Sequence, residues 1–419
     1  MQTELGKKFW ISMLVFGLMG QVAWVVENMY FNVFIYKMFH ATAADISAMV
    51  MASAVTAALT TIIMGAVSDK VGKRKAFMSF GYIIWGVSII AFAYIHSIML
   101  TIVMDCVMTY FGSTANDAAY NAWLTDRGDS TNRGKIEGVN SMMPLVAVLV
   151  VFGGFMSFNL DEHSAWVTIY YVIGIATAVI GALGWFIIED DPGLKKSEES
   201  LGETLAYSFR PSVARENRKL YLTLLNFAIF GISIQIFMPY LIIYYEQTLG
   251  LDNYVMIFAP AILLAAAATV FYGRLYDTRG FTKSILPVTA MLIIGYTILY
   301  FTHAHAAVQA FIGSLITMTG YLAGMSIFGA MIRDNIPEGR AGQFQGVRII
   351  GQVFVPGLIG PAIGAWVLRN ADVIVNSDGT ESFLPDRGIW SASGIIIVIL
   401  FAALMLTMRQ SGSTKGVRK

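Results

Sequence analysis

The stretch Gly65–Lys75, with the sequence GAVSDKVGKRK, lies between two long apolar runs. A related stretch, Gly273–Lys283, with the sequence GRLYDTRGFTK, begins 208 positions later. Both stretches place glycine, aspartate and glycine at their first, fifth and eighth positions. The same shift carries Asp126 onto Asp334. Because 208 is close to half of the 419 residues, the chain is a tandem duplication.

The composition excludes a soluble globular protein. Hydrophobic residues make up 56% of the chain, charged residues make up 13%, and the mean hydropathy is +0.64. Average soluble domains carry roughly 25% charged residues. The net charge of +1 gives no indication of nucleic-acid binding. Since the single cysteine, Cys106, lies inside an apolar run, we expect no disulfide framework, no metal site and no cofactor.

Twelve runs are long and apolar enough to cross a bilayer as helices, which takes about 20 residues each. Because these runs are continuous rather than alternating, they exclude a β-barrel. We therefore expect an all-α integral membrane protein with two six-helix bundles, residues 1–188 and 220–419, joined by a polar linker at 189–219. The predicted runs are 9–38, 44–67, 76–96, 98–123, 137–158, 165–188, 220–246, 254–275, 283–302, 306–332, 343–368 and 388–408.

The lysine and arginine residues indicate which side of the membrane each loop occupies. If the N-terminus is cytoplasmic, only Lys37, Arg369 and Arg387 lie on the outer side, and the other basic clusters lie inside. The acidic loop at 378–386 then lies outside as well. We therefore expect both termini in the cytoplasm and the chain in the plasma (inner) membrane.

The glycine, aspartate and basic residues of Gly65–Lys75 resemble the loop signature of the major facilitator superfamily, between its second and third helices. Gly273–Lys283 resembles the degraded second-half copy of that signature, with Thr282 where the first copy has Arg74. The resemblance covers essentially the whole chain. It implies a secondary transporter whose halves rock around a midplane site. It also implies a cytoplasmic gate, in which Asp69 holds the outward-facing conformation through ionic contacts to the other half.

The two paired loops carry the residues expected to form this gate. Gly65 is expected to permit close helix contact, and Gly72 to adopt the positive φ of a tight turn. Asp126 and Asp334 lie near arginines, where several ion pairs together can bias two conformations, although single exposed pairs contribute only about 0–1 kcal/mol. The alternative for both acids is ordinary loop charge. The predicted gate residues are Gly65, Asp69, Gly72, Arg74, Asp126, Arg133, Gly273, Asp277, Gly280, Asp334 and Arg340.

Three acids lie well inside the apolar runs: Glu27, Asp105 and Asp117. Ionisable residues at such positions are costly and indicate function by default, here the binding and release of protons. On a regular α-helix Asp117 lies about 120° from Asp105, so the two should not face one cavity equally. The alternative for each acid is a carboxyl group that hydrogen-bonds to neighbouring helices.

The internal repeat separates these acids from the gate. The 208-residue shift carries Glu27 onto Gln235, which cannot titrate, and carries Asp105 and Asp117 onto Gly313 and Met325. The membrane acids are therefore confined to the first half. We expect proton coupling in that half and mainly substrate binding in the second.

Polar and aromatic residues within the runs are candidates for binding the solute. One stripe in the first run is spaced by three or four residues, as one face of a helix requires. Amides with flat aromatic rings suit a ligand rich in hydroxyl groups, although hydrogen bonds between helices are an equally simple explanation. The cation Arg348 could hold an anionic solute or pair with Glu27 or Asp117. The predicted residues are Gln21, Trp24, Asn28, Asn32, Tyr36, Asn140, Gln235, Tyr240, Tyr321, Arg348 and Gln352.

These features favour a proton-coupled symporter of a sugar or another small polar solute, working by alternating access. A proton-driven exporter of drugs or lipid-like amphiphiles is the first alternative, and a transporter-like substrate sensor is a second. The fifth run has Met143-Pro144-Leu145 rather than an exporter-type Pro-Gly motif, which favours uptake. Sodium is the less favoured coupling ion because residues 46–67 contain no acid. We expect no enzymatic activity, no nucleic-acid partner and a monomer within the lipid bilayer.

Overall fold

The computed structural model describes residues 5–128, 133–190, 207–337, 341–376 and 379–413. Within these ranges, the side chains at 133, 134, 137, 138, 341–343, 345 and 406–413 are not described. Two predicted gate positions are affected. Arg340 and the side chain of Arg133 lie outside the described part of the chain.

Almost all of the described chain is helical, and we number the long helices α1 to α12 in chain order. Their bounds are α1 Lys7–Phe39, α2 Ala43–Val71, α3 Lys75–Tyr94, α4 Ile98–Arg127, α5 Arg133–Asn140 with Met143–Phe155, α6 His163–Ile187, α7 Arg218–Thr248, α8 and α9 together Tyr254–Tyr300, α10 Ala307–Asn335, α11 Ala341–Ile349 continuing to Val355–Val367, and α12 Gly388–Ser413. A short helix, Pro211–Glu216, precedes α7.

The helices account for every predicted run. Ten helices of the described ranges are long and apolar enough to cross a membrane, and Met143–Phe155 is a shorter apolar helix. One of the ten, Tyr254–Tyr300, contains two predicted runs because its backbone breaks at Gly280. We name its arms α8 (254–279) and α9 (281–300). The expected all-α membrane architecture is confirmed.

Local sequence explains where several helices begin. Thr42 and Asp45 bond to each other's backbone N–H groups, which caps the start of α2. The hydroxyl group of Ser97 accepts from the backbone N–H of Leu100 at the start of α4. Between α11 and α12, the strands β1 (Val373–Val375) and β2 (Glu381–Phe383) form an antiparallel hairpin.

The chain divides into two compact units, Met1–Ala41 with Ala48–Ala206, and Thr42–Ser47 with Tyr207–Lys419. In the first unit, α3 packs against α6, and α1 packs against α5 and α6. In the second unit, α7 packs against α11 and α12, and α10 packs against the α8–α9 helix.

Several long helices contain π-helical segments, in which each backbone bond spans one residue more than in an α-helix. They are Val26–Phe31 in α1, Ser113–Tyr120 in α4, Tyr244–Thr248 in α7 and Ile350–Phe354 in α11. Asp117 lies inside the π-helical segment of α4, and Asp105 lies in the regular helix before it. The predicted angle of about 120° between them assumed a regular helix throughout.

The glycines of the paired loops have different roles. Gly72 has a φ of 67°, as predicted for a tight turn, and Gly280 has a φ of 77° and a ψ of 175°. The close helix contact predicted at Gly65 is absent, because a Cβ atom there would meet no described atom within 4 Å. Gly273 has the same open surroundings. The motif glycines therefore act through backbone conformation at Gly72 and Gly280, and not through packing at Gly65.

We expect Gly280→Ala to lower the free energy of unfolding by about 2 kcal/mol, because its backbone conformation is essentially restricted to glycine. Thermal unfolding of the purified protein in detergent measures this effect. Gly273→Ala is the matched control, because Gly273 has helical backbone near the end of α8 and has open space around it. Equal melting temperatures for the two variants would contradict the prediction.

Candidate functional site

The carboxyl group of Glu27 joins three helices of the first unit. Glu27 lies in the π-helical segment of α1 and is only 6% exposed. Its Oε1 atom accepts from Ser53 Oγ of α2 at 2.7 Å and from Thr109 Oγ1 of α4 at 2.9 Å. The two hydroxyl oxygens lie 2.8 Å from each other. The acid is therefore held by hydroxyl groups rather than by a basic partner.

A second carboxyl group, that of Asp105, acts on Glu27 through its charge. It lies one helical turn before Thr109 and is 2% exposed. Glu27 Oε2 and Asp105 Oδ1 accept no hydrogen bond from the described residues. Because an ionised oxygen without donors is costly in a dry interior, two such carboxyl groups are suited to retain a proton.

The third membrane acid, Asp117, is in a different environment. It is half-buried and accepts from Ser113 at 2.9 Å within the π-helical segment of α4. The side chain of Asn121 donates to the backbone carbonyl groups of Asn116 and Asp117. The charges of Asp105 and Asp117 both act on Glu27. Both aspartates are therefore within electrostatic reach of Glu27.

Two of the three acids lie in π-helical segments, and the copies of these two do not. Glu27 and Asp117 lie in the π-helical segments of α1 and α4. Their counterparts in the repeat, Gln235 and Met325, lie in regular α-helix. Such segments occur frequently at functional sites. This coincidence was not visible in the sequence.

The polar stripe of α1 is partly occupied by its own backbone. Asn28 is exposed and donates to the carbonyl oxygen of Trp24 at 2.8 Å. Asn32 is buried and donates to the carbonyl oxygen of Asn28 at 3.0 Å, which leaves its Oδ1 atom without a described partner. Gln21 is half-buried. The accessible part of the stripe is therefore its portion from Gln21 to Asn28, while Tyr36 is buried.

Trp85, an aromatic residue that the sequence did not single out, supports this stripe. Trp24 is half-buried, and its ring centroid lies 5.0 Å from that of Trp85 on α3. The indole N–H groups of both tryptophans have no described partner. Gly112 of α4 makes room for the pair, because a Cβ atom there would lie 2.8 Å from Trp85 and 3.0 Å from Trp24. The ring of Trp24 is thus held in place, and its buried indole N–H has no described partner.

A chain of hydrogen bonds fixes α4 against α1 beside the tryptophans. Asn116 donates to the hydroxyl group of Tyr82 at 2.8 Å, and Tyr82 donates to the carbonyl oxygen of Phe16 at 2.7 Å. Gly20 permits this approach, because a Cβ atom there would lie 2.1 Å from Asn116 Nδ2. The predicted residue Asn140 lies nearby in the first unit, with its Oδ1 atom 3.1 Å from the Tyr120 hydroxyl group.

The second unit holds the remaining predicted solute-binding residues. Arg348 Nε donates to Gln352 Oε1 at 3.1 Å, beside the π-helical segment of α11. Gln235 is half-buried and packs against Gly360, and Tyr321 is half-buried on α10. Tyr240 is fully buried and donates to a backbone carbonyl group at 3.0 Å, so its side chain is not accessible to a solute in this conformation.

Arg74 is the centre of the loop between α2 and α3. Its guanidinium group is 4% exposed and donates to Asp126 at 2.8 Å, to Asp69 at 2.5 Å and to Ser68 Oγ at 2.6 Å. Its backbone N–H donates to Asp190 at 2.8 Å. Burial disfavours the charged form, but the bonds and charges of Asp126 and Asp69 outweigh burial and raise the pKa of Arg74. Asp69, expected to contact the other half, is bound here to Arg74 of its own loop.

The second copy of this loop uses a different contact. Thr282 stands where the first copy has Arg74, and Asp277 is exposed with no ion pair to any described residue. Tyr276, which occupies the repeat position of Ser68, donates its hydroxyl hydrogen to Asp334 at 2.5 Å. In both units, therefore, the acid at the end of α4 or α10 bonds to a residue of the preceding loop stretch. That residue is an arginine in the first unit and a tyrosine in the second.

Comparisons with known proteins bear on the family and the fold of the chain. A model of the Major Facilitator Superfamily matches residues 9–361. The chain is 21% identical over 185 residues to sugar efflux transporter B of Salmonella typhimurium, a match that covers 44% of this chain and only 46% of that relative. The crystal structure of the nucleoside transporter NupG superposes with a TM-score of 0.73 at 11% identity, covering 95% of this chain and 98% of that one. A bacterial homolog of the human lysosomal transporter Spinster, in an inward-facing and unoccupied conformation, gives 0.72 at 15% identity, covering 97% and 98%.

Proposed function

Because the chain belongs to the major facilitator superfamily, we propose that it carries a small polar solute, in the first place a sugar, together with protons. Its family makes it a multi-pass membrane transporter and not an enzyme. The two six-helix halves, 1–188 and 220–419, alternate around the solute, as transporters with parallel repeats do.

The observation that carries the proton-coupling proposal is the environment of Glu27. Glu27 is only 6% exposed. Its carboxyl group is bound only by hydroxyl groups among the described residues, and one oxygen of that group has no described partner. A permanently ionised group would be costly there, whereas a group that gains and loses a proton as the cavity opens is suited to coupling. Asp117, which is half-buried where Glu27 and Asp105 are buried, is the group that exchanges protons with water.

A sugar is the solute class that the accessible residues support best. Trp24 offers a flat apolar ring, and Asn28 and Gln21 add amide groups along the same helix. Aromatic faces with a few polar groups are typical of sites that bind small polar ligands. The relatives described above are named for a sugar and for nucleosides, and both solute classes contain a sugar ring.

We further propose that the loops of the repeat form a cytoplasmic gate, with both termini on that side of the plasma (inner) membrane. The ion pairs of Arg74 to Asp69 and Asp126, and the bond of Tyr276 to Asp334, stabilise one conformation of each unit. Because the contacts lie at helix ends, they can be broken without disturbing the apolar core.

Proteoliposomes with an imposed pH gradient test the proposed function. A panel of monosaccharides, disaccharides, nucleosides and organic anions should contain a solute that accumulates above equilibrium only with the gradient, and a protonophore should abolish the accumulation. Fluorescent amphiphiles and a reversed gradient test the exporter alternative. This alternative is included because the Salmonella relative is named an efflux transporter. Accumulation driven by sodium alone, or by neither ion, would overturn proton coupling.

A further inference from the structure

We propose that the first unit binds the headgroup of an anionic phospholipid where α3 begins and α6 ends. Lys73 and Lys75 hold the phosphate group, and Trp185 lies beside it at the depth of the glycerol. The site is separate from the acids of α1 and α4. It goes beyond the proposed function, since it does not depend on which ion or solute the chain transports.

Exposed apolar side chains line one face of α3 and one face of α6. On each helix they recur every three or four positions, as residues on one helix face do. Because the chain spans a membrane, acyl chains of lipids cover such a face. The residues nearest to the proposed site are Phe80, Ile84 and Val87 on α3, and Val179, Leu183 and Phe186 on α6.

The two helices pack closely, so the surface that they form is fixed. A Cβ atom on Gly181 of α6 would lie 2.6 Å from the backbone nitrogen of Ile83 on α3, which shows how near the two backbones come. At the end of this contact, the rings of Phe80 and Trp185 meet edge to face, with centroids 4.9 Å apart. The lipid-facing aromatic pair is therefore preformed and does not need a ligand to assemble it.

A cation lies over the ring of Trp185. The Nζ atom of Lys75 is 6.0 Å from the ring centroid, at the outer limit of a cation–π contact. Lys75 is the first residue of α3, and Phe80 follows about 7.5 Å further along the helix axis. The surface therefore changes from charged to aromatic to apolar along the helix. A phospholipid has the same order of groups, and tryptophan rings favour the depth between headgroups and acyl chains.

The charge at this end of α3 favours an anionic lipid over a neutral one. Lys73 is exposed and Lys75 is half-buried. Within the part of the chain that the structure describes, no carboxylate forms an ion pair with either of them. Basic residues beside the end of a membrane helix attract the anionic lipids of the cytoplasmic leaflet, and this loop is the one proposed above to be cytoplasmic.

Two acids at the end of α6 lie near these lysines, but both have other partners. Glu189 pairs with Lys8 at 3.2 Å. Asp190 accepts from the backbone N–H groups of Arg74 and Lys75, each at 2.8 Å, where it also meets the positive end of the α3 dipole. The ammonium groups of the lysines are thus left to bind a phosphate group from outside the protein.

The repeat provides an internal comparison for this site. The 208-residue shift carries Lys75 onto Lys283, which is exposed, but carries Lys73 onto Phe281. It carries Trp185 onto Ser393, which is buried. The second unit therefore keeps one lysine of the pair and lacks the exposed tryptophan, so Lys283 is a matched control for Lys75.

Quenching of Trp185 by brominated lipids tests the site on the full chain in phosphatidylcholine vesicles. The difference in emission between wild type and Trp185→Phe isolates the signal of this ring. Brominated phosphatidylglycerol should quench that signal at about tenfold lower mole fraction than brominated phosphatidylcholine, because each lysine near the membrane surface favours an anionic lipid about fivefold. Salt at about 1 M should remove most of this preference, because it screens the exposed charges.

Variants of the lysines assign the preference to the site. Lys75→Gln should reduce it about fivefold, whereas Lys75→Arg, which keeps the charge, should leave it within about twofold of wild type. Lys283→Gln removes the same charge from the second unit and should leave the preference unchanged. Soluble glycerol phosphate should not displace the lipid, because it has no acyl chains to cover the apolar face.

Three results would overturn the lipid site. Equal quenching of wild type by the two brominated lipids would mean that the surface does not distinguish anionic from neutral headgroups. Equal losses in Lys75→Gln and Lys283→Gln would mean that only the overall charge of the protein attracts the lipid. Displacement by glycerol phosphate would assign the lysines to a soluble anion. Since no solute or gradient is used, none of these results bears on proton coupling.

Discussion

Glu27→Gln is expected to abolish solute accumulation driven by a proton gradient and to leave counterflow exchange near the wild-type rate. Glutamine keeps the size of the side chain and an oxygen that accepts from Ser53 and Thr109, but it carries no proton that can be released. The repeat already places an amide, Gln235, at the matching position of the second unit. Uptake and counterflow in proteoliposomes, measured on one preparation, separate coupling from binding.

The control for this experiment is Glu162→Gln. Glu162 precedes α6, is exposed, and bonds to Asn159 and Ser164 within its own turn, so both kinds of transport should be unchanged. Full gradient-driven accumulation in Glu27→Gln would reject Glu27 as the coupling acid. If Asp117→Asn alone abolished accumulation, the coupling role would pass to Asp117.

The sequence predicted the helices well because each run had to be long and apolar enough to cross a bilayer. It could not predict the π-helical segments, because positions on a helix were assigned with a regular period. The angle between Asp105 and Asp117, for example, was derived for a regular helix, whereas Asp117 lies in the π-helical segment Ser113–Tyr120. Ser53 was equally hidden among the small residues of α2, where nothing in the pattern shows which hydroxyl group meets an acid.

The gate shows the same limit. Spacing and the repeat indicated Arg74, Asp126 and Asp334, but they could not show which groups would bond to each other. Tyr276 was overlooked because it replaces a serine, and a tyrosine in an apolar helix is usually a packing residue. Its role emerges only when the contact to Asp334 is compared with the contact of Arg74 to Asp126.

Arg74→Ala is expected to lower the free energy of unfolding by about 3 kcal/mol, the lower end of the range for a broken buried ion pair. The lower end applies because the Asp69 side chain is 51% exposed and retains water, whereas that of Asp126 is only 18% exposed. Removing the guanidinium group leaves these two negative charges facing each other and Ser68 without its donor. Thermal unfolding in detergent measures the loss, and Arg74→Lys should recover only part of it, because an ammonium group cannot reproduce the planar fork.

The second unit provides a comparison for the loss of stability expected in Arg74→Ala. Tyr276→Phe removes one hydrogen bond to Asp334 and should cost about 1.5 kcal/mol, since no charge is lost and Asp334 is exposed to water. The raised pKa of Arg74 keeps the guanidinium group charged throughout the neutral range, so its contribution should not change with pH there. Salt should have little effect on the ion pair of Arg74 with the mostly buried Asp126. It should weaken the ion pair of Arg74 with the exposed Asp69. Equal losses for Arg74→Ala and Tyr276→Phe would mean that the arginine acts only as a hydrogen-bond donor, and that the two loops are equivalent despite their different chemistry.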